Sequence, residues 1–482
     1  MAGYCAKLKH KAIFLLITSC LLSIGIYAQS NKPVIVKGIF KEAKGKEARL
    51  LCYSDYLSNK EIEIANCLIS DSGYFSFETT IFEPEYVFLK IDFGKAGFYI
   101  EPGKDCELLF EAFDFSAIDE KRNPFFDPVY YPFKIKNEHK EGLNTLLGYF
   151  EPAFNAFVTD NFSLMWKGRL KNLGEAFEQE VDSVFSNTSN TFFKDFIDYK
   201  FAKLYLSTKT KTRSELASQY LINKPVLYQN PAYMDFFNAY FEKYLLGGSN
   251  KVNFNDLDYC VNRIGDFRIL IDTLGKDTIL VNEVLREMVL LKSMGEIYSH
   301  QAYQKEKVLQ ILNQAKESSK FSEHRVIADN YIQLLTVFEK GNPLLPLTIV
   351  DEGAQIQLPD SFSGKNIYVM FFTSWCSSCE LEFEILRNLY SRFEKDIAFV
   401  GISTDKHRSS FEAFKKEKAY PWPVYYLGNN MRAIEQYRIT TYPTIIMVNR
   451  QGRILDYPAP KLSDDIENYF RMILELEKRS KQ

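Results

Sequence analysis

Two cysteines stand three residues apart in the stretch Trp375-Cys376-Ser377-Ser378-Cys379. A thiol pair at this spacing supports two-electron chemistry: one thiolate attacks a disulfide sulfur, and the other then closes onto the first and expels the bound partner. Upstream, residues 367–372 are an apolar run, too short for a long helix and rich in β-formers, which reads as a buried strand. Downstream, Phe383, Leu386, Tyr390 and Phe393 recur at helical spacing. Cys376 therefore sits where a strand ends and a helix begins. The unpaired N–H groups and partial positive charge of a helix N-terminus favour thiolate over thiol there. Cys376 is the candidate attacking thiol, Cys379 the candidate resolving thiol, and a Cys376–Cys379 disulfide the oxidised state.

Other uses of a Cys-x-x-Cys fit less well. Tetrahedral zinc wants four ligands, usually from two Cys/His pairs. The chain has no second Cys-x-x-Cys, and the nearest histidine is His407, in a polar stretch that reads as a loop. A c-type haem needs histidine directly after the second cysteine, where this chain has Glu380. No metal and no cofactor are expected.

Further marks lie along residues 345–480. Asp351-Glu352-Gly353 is followed by Ile356, Leu358, Phe362, Gly364 and Lys365; Glu382 stands three residues past the second cysteine; Tyr442-Pro443-Thr444 leads into Ile445-Ile446-Met447-Val448; Asn449-Arg450-Gln451-Gly452-Arg453 follows. Together with Trp375 and the cysteine pair, this segment resembles the thioredoxin superfamily in its extracytoplasmic TlpA/ResA-like, AhpC/TSA-Redoxin-like branch. The resemblance implies a lead-in hairpin at 351–365, a cis-proline at Pro443 facing the cysteines, a substrate strand held by the Tyr442 backbone, and Trp375 shielding the pair. It makes Glu382 a candidate for assisting proton transfer. There are departures. Met370 stands where thioredoxin has a buried aspartate, Glu384 where many relatives have a proline, and Tyr442 is bulkier than usual before the cis-proline. Thr373 matches the peroxiredoxin motif, but Val369 replaces its proline.

Elements must be found to carry this site. The chain has 482 residues, 46% hydrophobic and 15% aromatic, with a net charge of −3; that is length for several domains and no basic excess for nucleic acid. Residues 1–28 read as a signal peptide: Lys7, Lys9, His10 and Lys11, an apolar stretch at 12–26, and cleavage near Ala28. An alternative is a lipobox at Ile17-Thr18-Ser19-Cys20, anchoring the chain at Cys20. Either reading places the protein in the periplasm or cell envelope, with no integral membrane span in the mature chain. Cys52, Cys67, Cys106 and Cys260 show no framework spacing; Cys52 and Cys67 either pair across neighbouring strands or stay buried thiols.

Residues 29–115 alternate short strands and turns and predict an antiparallel β-sandwich, like the β-domain preceding the redox domain in long TlpA-like proteins. Residues 116–136, with Pro124, Pro128 and Pro132 among aromatics, predict a linker lying on a surface. Residues 137–340 predict an α-helical domain, its aromatic stripes at 192–199 and 236–241 being core. Residues 341–482 predict an α/β thioredoxin-like domain with a mainly parallel sheet and a last helix capped by Ser463. The chain is thus expected to be a multi-domain exported thiol-disulfide oxidoreductase, acting on protein disulfide or thiol substrates and reduced by a membrane electron donor. One alternative is a DsbA-like oxidase. Another, of a different class, is a cell-envelope binding protein whose thioredoxin fold is a redox-inactive scaffold.

Overall fold

A computed structural model of the chain describes residues 33–480, apart from 120, 122, 124, 126, 168–170, 248–251 and 429. The expected signal peptide, its cleavage near Ala28 and the alternative anchor at Cys20 lie outside the described residues, as does Pro124. Among the described residues, no helix is long and apolar enough to cross a membrane.

Strands β1 (Val34–Ile39), β2 (Glu47–Tyr53), β3 (Glu61–Leu68), β4 (Tyr74–Thr79), β5 (Glu85–Ile91), β6 (Gly94–Ile100), β7 (Cys106–Phe110), β8 (Val129–Tyr130) and β9 (Phe133–Ile135) build the front module. They form two sheets, ordered β4-β1-β7-β9 and β3-β2-β5-β6-β8. Alternation decides which face is buried: in β4, Phe75 and Phe77 point inward while Tyr74 and Ser76 are exposed. Val36, Phe75 and Phe77 of one sheet share an apolar cluster with Leu50, Val87 and Phe98 of the other. Two expectations are corrected. The pairs β1·β7 and β6·β8 are parallel, so the module is not purely antiparallel; both returning strands arrive after excursions too long for a hairpin. The second half of the expected 116–136 linker is also sheet. It supplies β8 and β9, and Tyr131 between them is buried, its hydroxyl donating to Ile91 O at 2.6 Å.

The helical region includes α1 (Leu143–Asp160), α2 (Thr191–Thr208), α3 (Pro231–Tyr240), α4 (Glu283–Ile297) and α5 (Ser322–Thr336). Phe193 and Phe196 of α2 and Phe236, Phe237 and Tyr240 of α3 are core, as their spacing implied. Tyr56 and Tyr99 of the front module pack against the same core. Asn144 on α1 pairs with the Tyr99 backbone in both directions, at 2.7 and 2.8 Å.

The C-terminal domain opens with the hairpin β10 (Leu347–Asp351) and β11 (Ala354–Leu358). Glu352 and Gly353 have φ of 49° and 80°, the positive values that a two-residue hairpin turn requires. Its main sheet runs β14 (Val424–Tyr426), β13 (Ile397–Ser403), β12 (Asn366–Phe372), β15 (Thr444–Val448), β16 (Ile454–Asp456). Every residue of β12 is buried, as the unbroken apolar run implies for a central strand. The sheet is mixed rather than mainly parallel: β13 and β14 run with β12, but β15 runs against β12, and the 449–452 turn folds β16 back on β15 as a hairpin. Helices α6 (Ser377–Phe393), α7 (Arg408–Lys418), α8 (Met431–Gln436) and α9 (Ile466–Ser480) complete it. Ser463 does not cap α9. Asp465 adopts φ 54°, a left-handed conformation that a right-handed helix cannot contain, so the helix starts after it.

Helix α8 is the dock between the C-terminal domain and the front module. Glu435 accepts from Arg49 on β2 at 3.0 Å and from Lys90 on β5 at 2.8 Å. Arg432 pairs with Glu47 at 2.7 Å and Glu63 at 3.0 Å.

Candidate functional site

Strand β12 delivers the chain to the top of the sheet, and residues 373–376 turn it into α6. Cys376 is the N-cap residue of α6, and Cys376 and Cys379 are joined by a disulfide. The Cys379 N–H points at Cys376 Sγ, 3.1 Å away, which is where an N-cap side chain takes up one of the orphan donors of the first turn. Both cysteines are buried as residues, Cys376 at 7% exposure and Cys379 at 1%. The helix is held by an apolar stripe of Cys379, Phe383, Leu386, Leu389 and Phe393 on its buried face.

The second wall is the loop before β15. The Tyr442–Pro443 peptide is cis. The Tyr442 ring lies edge-on to Trp375, with centroids 6.0 Å apart. Burial pushes the Tyr442 phenol above its ordinary pKa, partly offset by a hydrogen bond that Thr404 Oγ1 donates to Tyr442 Oη at 2.7 Å. Trp375 and Tyr442, expected as substrate-contacting residues, thus meet beside the cysteines.

Glu382 is 4% exposed, one turn beyond Cys379 on the same helix face. Its carboxylate takes the Ser463 hydroxyl at 2.7 Å and the Ser463 N–H at 3.1 Å. It ties the loop before α9 to α6.

The residues after β13 escaped the sequence reading. Asp405 is buried and accepts three donors: Ser374 N–H at 2.8 Å, Ser374 Oγ at 2.8 Å and Ser403 Oγ at 2.6 Å. It therefore holds the residue two before Cys376. Its neighbour Thr404 holds Tyr442. The next residue, Lys406, donates to the carbonyls of Phe115 and Ile118 at 3.0 and 2.9 Å. One four-residue segment thus touches the cysteine turn, the cis-proline loop and the front of the chain. The available signal was its place: a polar run directly after an apolar strand, at the carboxyl end where α/β sheets carry their sites.

Among the described residues the other cysteines, Cys52, Cys67, Cys106 and Cys260, are free. In the β2·β3 register Cys52 faces Ile62 and Cys67 faces Ala48, so the two are offset along the ladder. Among the described residues no group of three or more His, Cys, Asp or Glu side chains is placed to hold a metal ion.

Residues 364–454 match a family model described as thioredoxin-like. Over 124 residues the chain is 25% identical to the thiol-disulfide oxidoreductase ResA of Bacillus thuringiensis subsp. konkukian, covering 25% of this chain and 70% of that protein. ResA of Bacillus subtilis is 24% identical over 123 residues, 25% of this chain and 68% of that protein. The solved thioredoxin domain of a thiol-disulfide oxidoreductase from Bacteroides vulgatus is 26% identical, covering 27% of this chain and 98% of that one, with a TM-score of 0.25.

Proposed function

We propose, from the premise that the C-terminal domain is a thioredoxin-like thiol-disulfide oxidoreductase, that this protein reduces disulfides of exported polypeptides through Cys376 and Cys379. The observation that carries the reading is the disulfide at the N-terminus of α6, with Cys376 the less buried residue of the two, beside the cis Tyr442–Pro443 peptide. In the reduced protein the Cys376 thiolate attacks one sulfur of a substrate disulfide. A mixed disulfide forms, and the other substrate sulfur leaves as thiolate and takes a proton. Cys379, once deprotonated, attacks Cys376 Sγ. The Cys376–Cys379 bond forms, the mixed disulfide breaks, and two electrons have passed to the substrate. A dithiol donor on the membrane side restores the reduced pair.

Several residues have proposed roles in this cycle. The Tyr442 backbone and Pro443 line the groove for the substrate strand, and Trp375 covers the pair from water. Glu382 acts mainly as an anchor through Ser463; any help with the Cys379 proton passes through that arrangement. We read the front module as a β-sandwich that docks the redox domain, and the protein as exported to the periplasm or cell envelope.

The reduction potential of the full chain tests direction and activity together. The protein is equilibrated in graded dithiothreitol or glutathione buffers, alkylated, and its thiols counted by mass. A value near about −270 mV marks a reductant, whereas one near about −120 mV marks an oxidase. Cys376→Ala is expected to abolish insulin-disulfide reduction; survival of that activity overturns the assignment.

A further inference from the structure

The redox site is not walled by its own domain alone. A narrow cleft opens beside Trp375 and Tyr442, and its far wall is Phe93 and Phe125 from the front of the chain. Met431 and Ile434 of α8 line it as well. The far wall is pinned on both sides of the active-site turn. Lys406 holds the carbonyls of Phe115 and Ile118, and Asn123 Nδ2 donates to Thr440 O at 2.7 Å, three residues before Pro443.

Two features point to a ligand. Thr373, 3% exposed and three residues before Cys376, lines the cleft, and its Oγ1 has no hydrogen-bond partner among the described residues. A buried hydroxyl left unpaired is costly, and a main-chain group entering the cleft would satisfy it. The cleft is also continuous with the site, because Trp375 and Tyr442 belong to both. Beyond the shared residues Phe93, Phe125 and Met431 lies a second, more open groove with Asp92, Lys95 and Arg438 along it, giving a chain that enters the pocket a way out.

We propose that this interdomain cleft is the specificity pocket of the redox site, taking an apolar side chain that neighbours the cysteine of an extended polypeptide substrate. The inference rests on the redox reading above and adds the substrate class. The mostly apolar lining selects an apolar side chain. Phe93 and Phe125 then determine specificity although they lie outside the thioredoxin-like domain.

The test uses the full-length protein and two disulfide-linked peptides that differ only at the residue after cysteine, leucine in one and serine in the other. The expected kcat/KM ratio is about tenfold or more in favour of leucine, the discrimination that an apolar pocket provides. Phe125→Ala and Phe93→Ala, each at an edge of the wall, are both expected to bring the ratio severalfold closer to one. Because each ratio is taken within one variant, a general loss of activity cancels. A wild-type ratio near one, or a ratio unmoved in both variants, overturns the pocket. Reduction of a small disulfide such as oxidised glutathione by the wild type separates the two readings: if it too is absent, the redox function itself fails and the pocket falls with it.

Discussion

Replacing Asp405 with alanine removes the acceptor that fixes the cysteine turn. Three donors lose it: the Ser374 N–H, the Ser374 hydroxyl and the Ser403 hydroxyl. The hydroxyls can rotate toward other acceptors, but the backbone N–H cannot. A buried donor left unpaired costs about 1–3 kcal/mol, and a lost hydrogen bond to a charged group about 1.5–3 kcal/mol. One orphaned N–H and one unreplaced hydroxyl give about 3 kcal/mol. If that falls on residues 373–376, at about 1.4 kcal/mol per factor of ten, the correctly placed Cys376 becomes about a hundredfold rarer. We expect kcat/KM for disulfide reduction to fall about tenfold to a hundredfold, since placement errors near 1 Å cost that much. Asp405→Asn keeps one oxygen for the Ser374 N–H and loses about threefold on the same hydrogen-bond scale. The assay pairs kcat/KM with the pH dependence of Cys376 alkylation in reduced protein, which a general loss of stability would not shift. An alanine variant that melts cooperatively, works within about twofold of wild type and keeps the same alkylation profile refutes the positioning role of Asp405.

The dock between domains is expected to depend on Glu435. Its removal in Glu435→Ala leaves Arg49, only 7% exposed, without its carboxylate, at about 3 kcal/mol, and limited proteolysis should cut the contact between α8 and β2 earlier than in wild type. Asp198 provides a pH signature, because partial desolvation of a carboxylate whose residue stays exposed, together with the nearby Asp182, Asp195 and Glu178 carboxylates, raises its pKa to about 6. An acid whose folded pKa lies above its unfolded one binds more protons when folded, so stability falls as pH rises from about 4 to about 6. Asp198→Asn should match wild type near pH 4 and exceed it near pH 7, by no more than about 1 kcal/mol because the side chain keeps solvent contact; equal melting curves at neutral pH would refute this. Among the free thiols, Cys106 is pushed up to about 12 by burial, so Ellman's reagent on the native oxidised protein should label the half-buried Cys67 before Cys106, and the reverse order would contradict the burial argument.

Much of the candidate site was legible because its signals are local. The apolar run at 367–372, the cysteine spacing and the helical period after it lie within thirty contiguous residues, and together they specify a strand, a turn and a capped helix. The Tyr442-Pro443 loop was legible for the same reason, through its proline and the apolar strand that follows. The helical region showed itself by aromatic spacing, since a stripe at helical period has little use but burial.

What the sequence did not disclose are partnerships between distant residues. Glu382 and Ser463 are eighty-one positions apart, and no spacing rule links a helix carboxylate to a serine that reads as a helix cap. The strands within 116–136 are two and three residues long, too short to carry a period. The Asp405 hold on Ser374 joins two loops thirty-one positions apart within the redox domain, whereas the Lys406 contacts and the wall of Phe93 and Phe125 arise because docking at α8 brings the front of the chain onto that domain. The sequence by itself thus determined the reactive pair and the strand–helix frame that tunes it, which follow from backbone geometry within one turn. Tertiary structure decided the rest of what stands around that pair, the Asp405 hold on Ser374 and the wall of Phe93 and Phe125, because contacts between residues far apart in the chain are set by packing and charge complementarity rather than by local pattern.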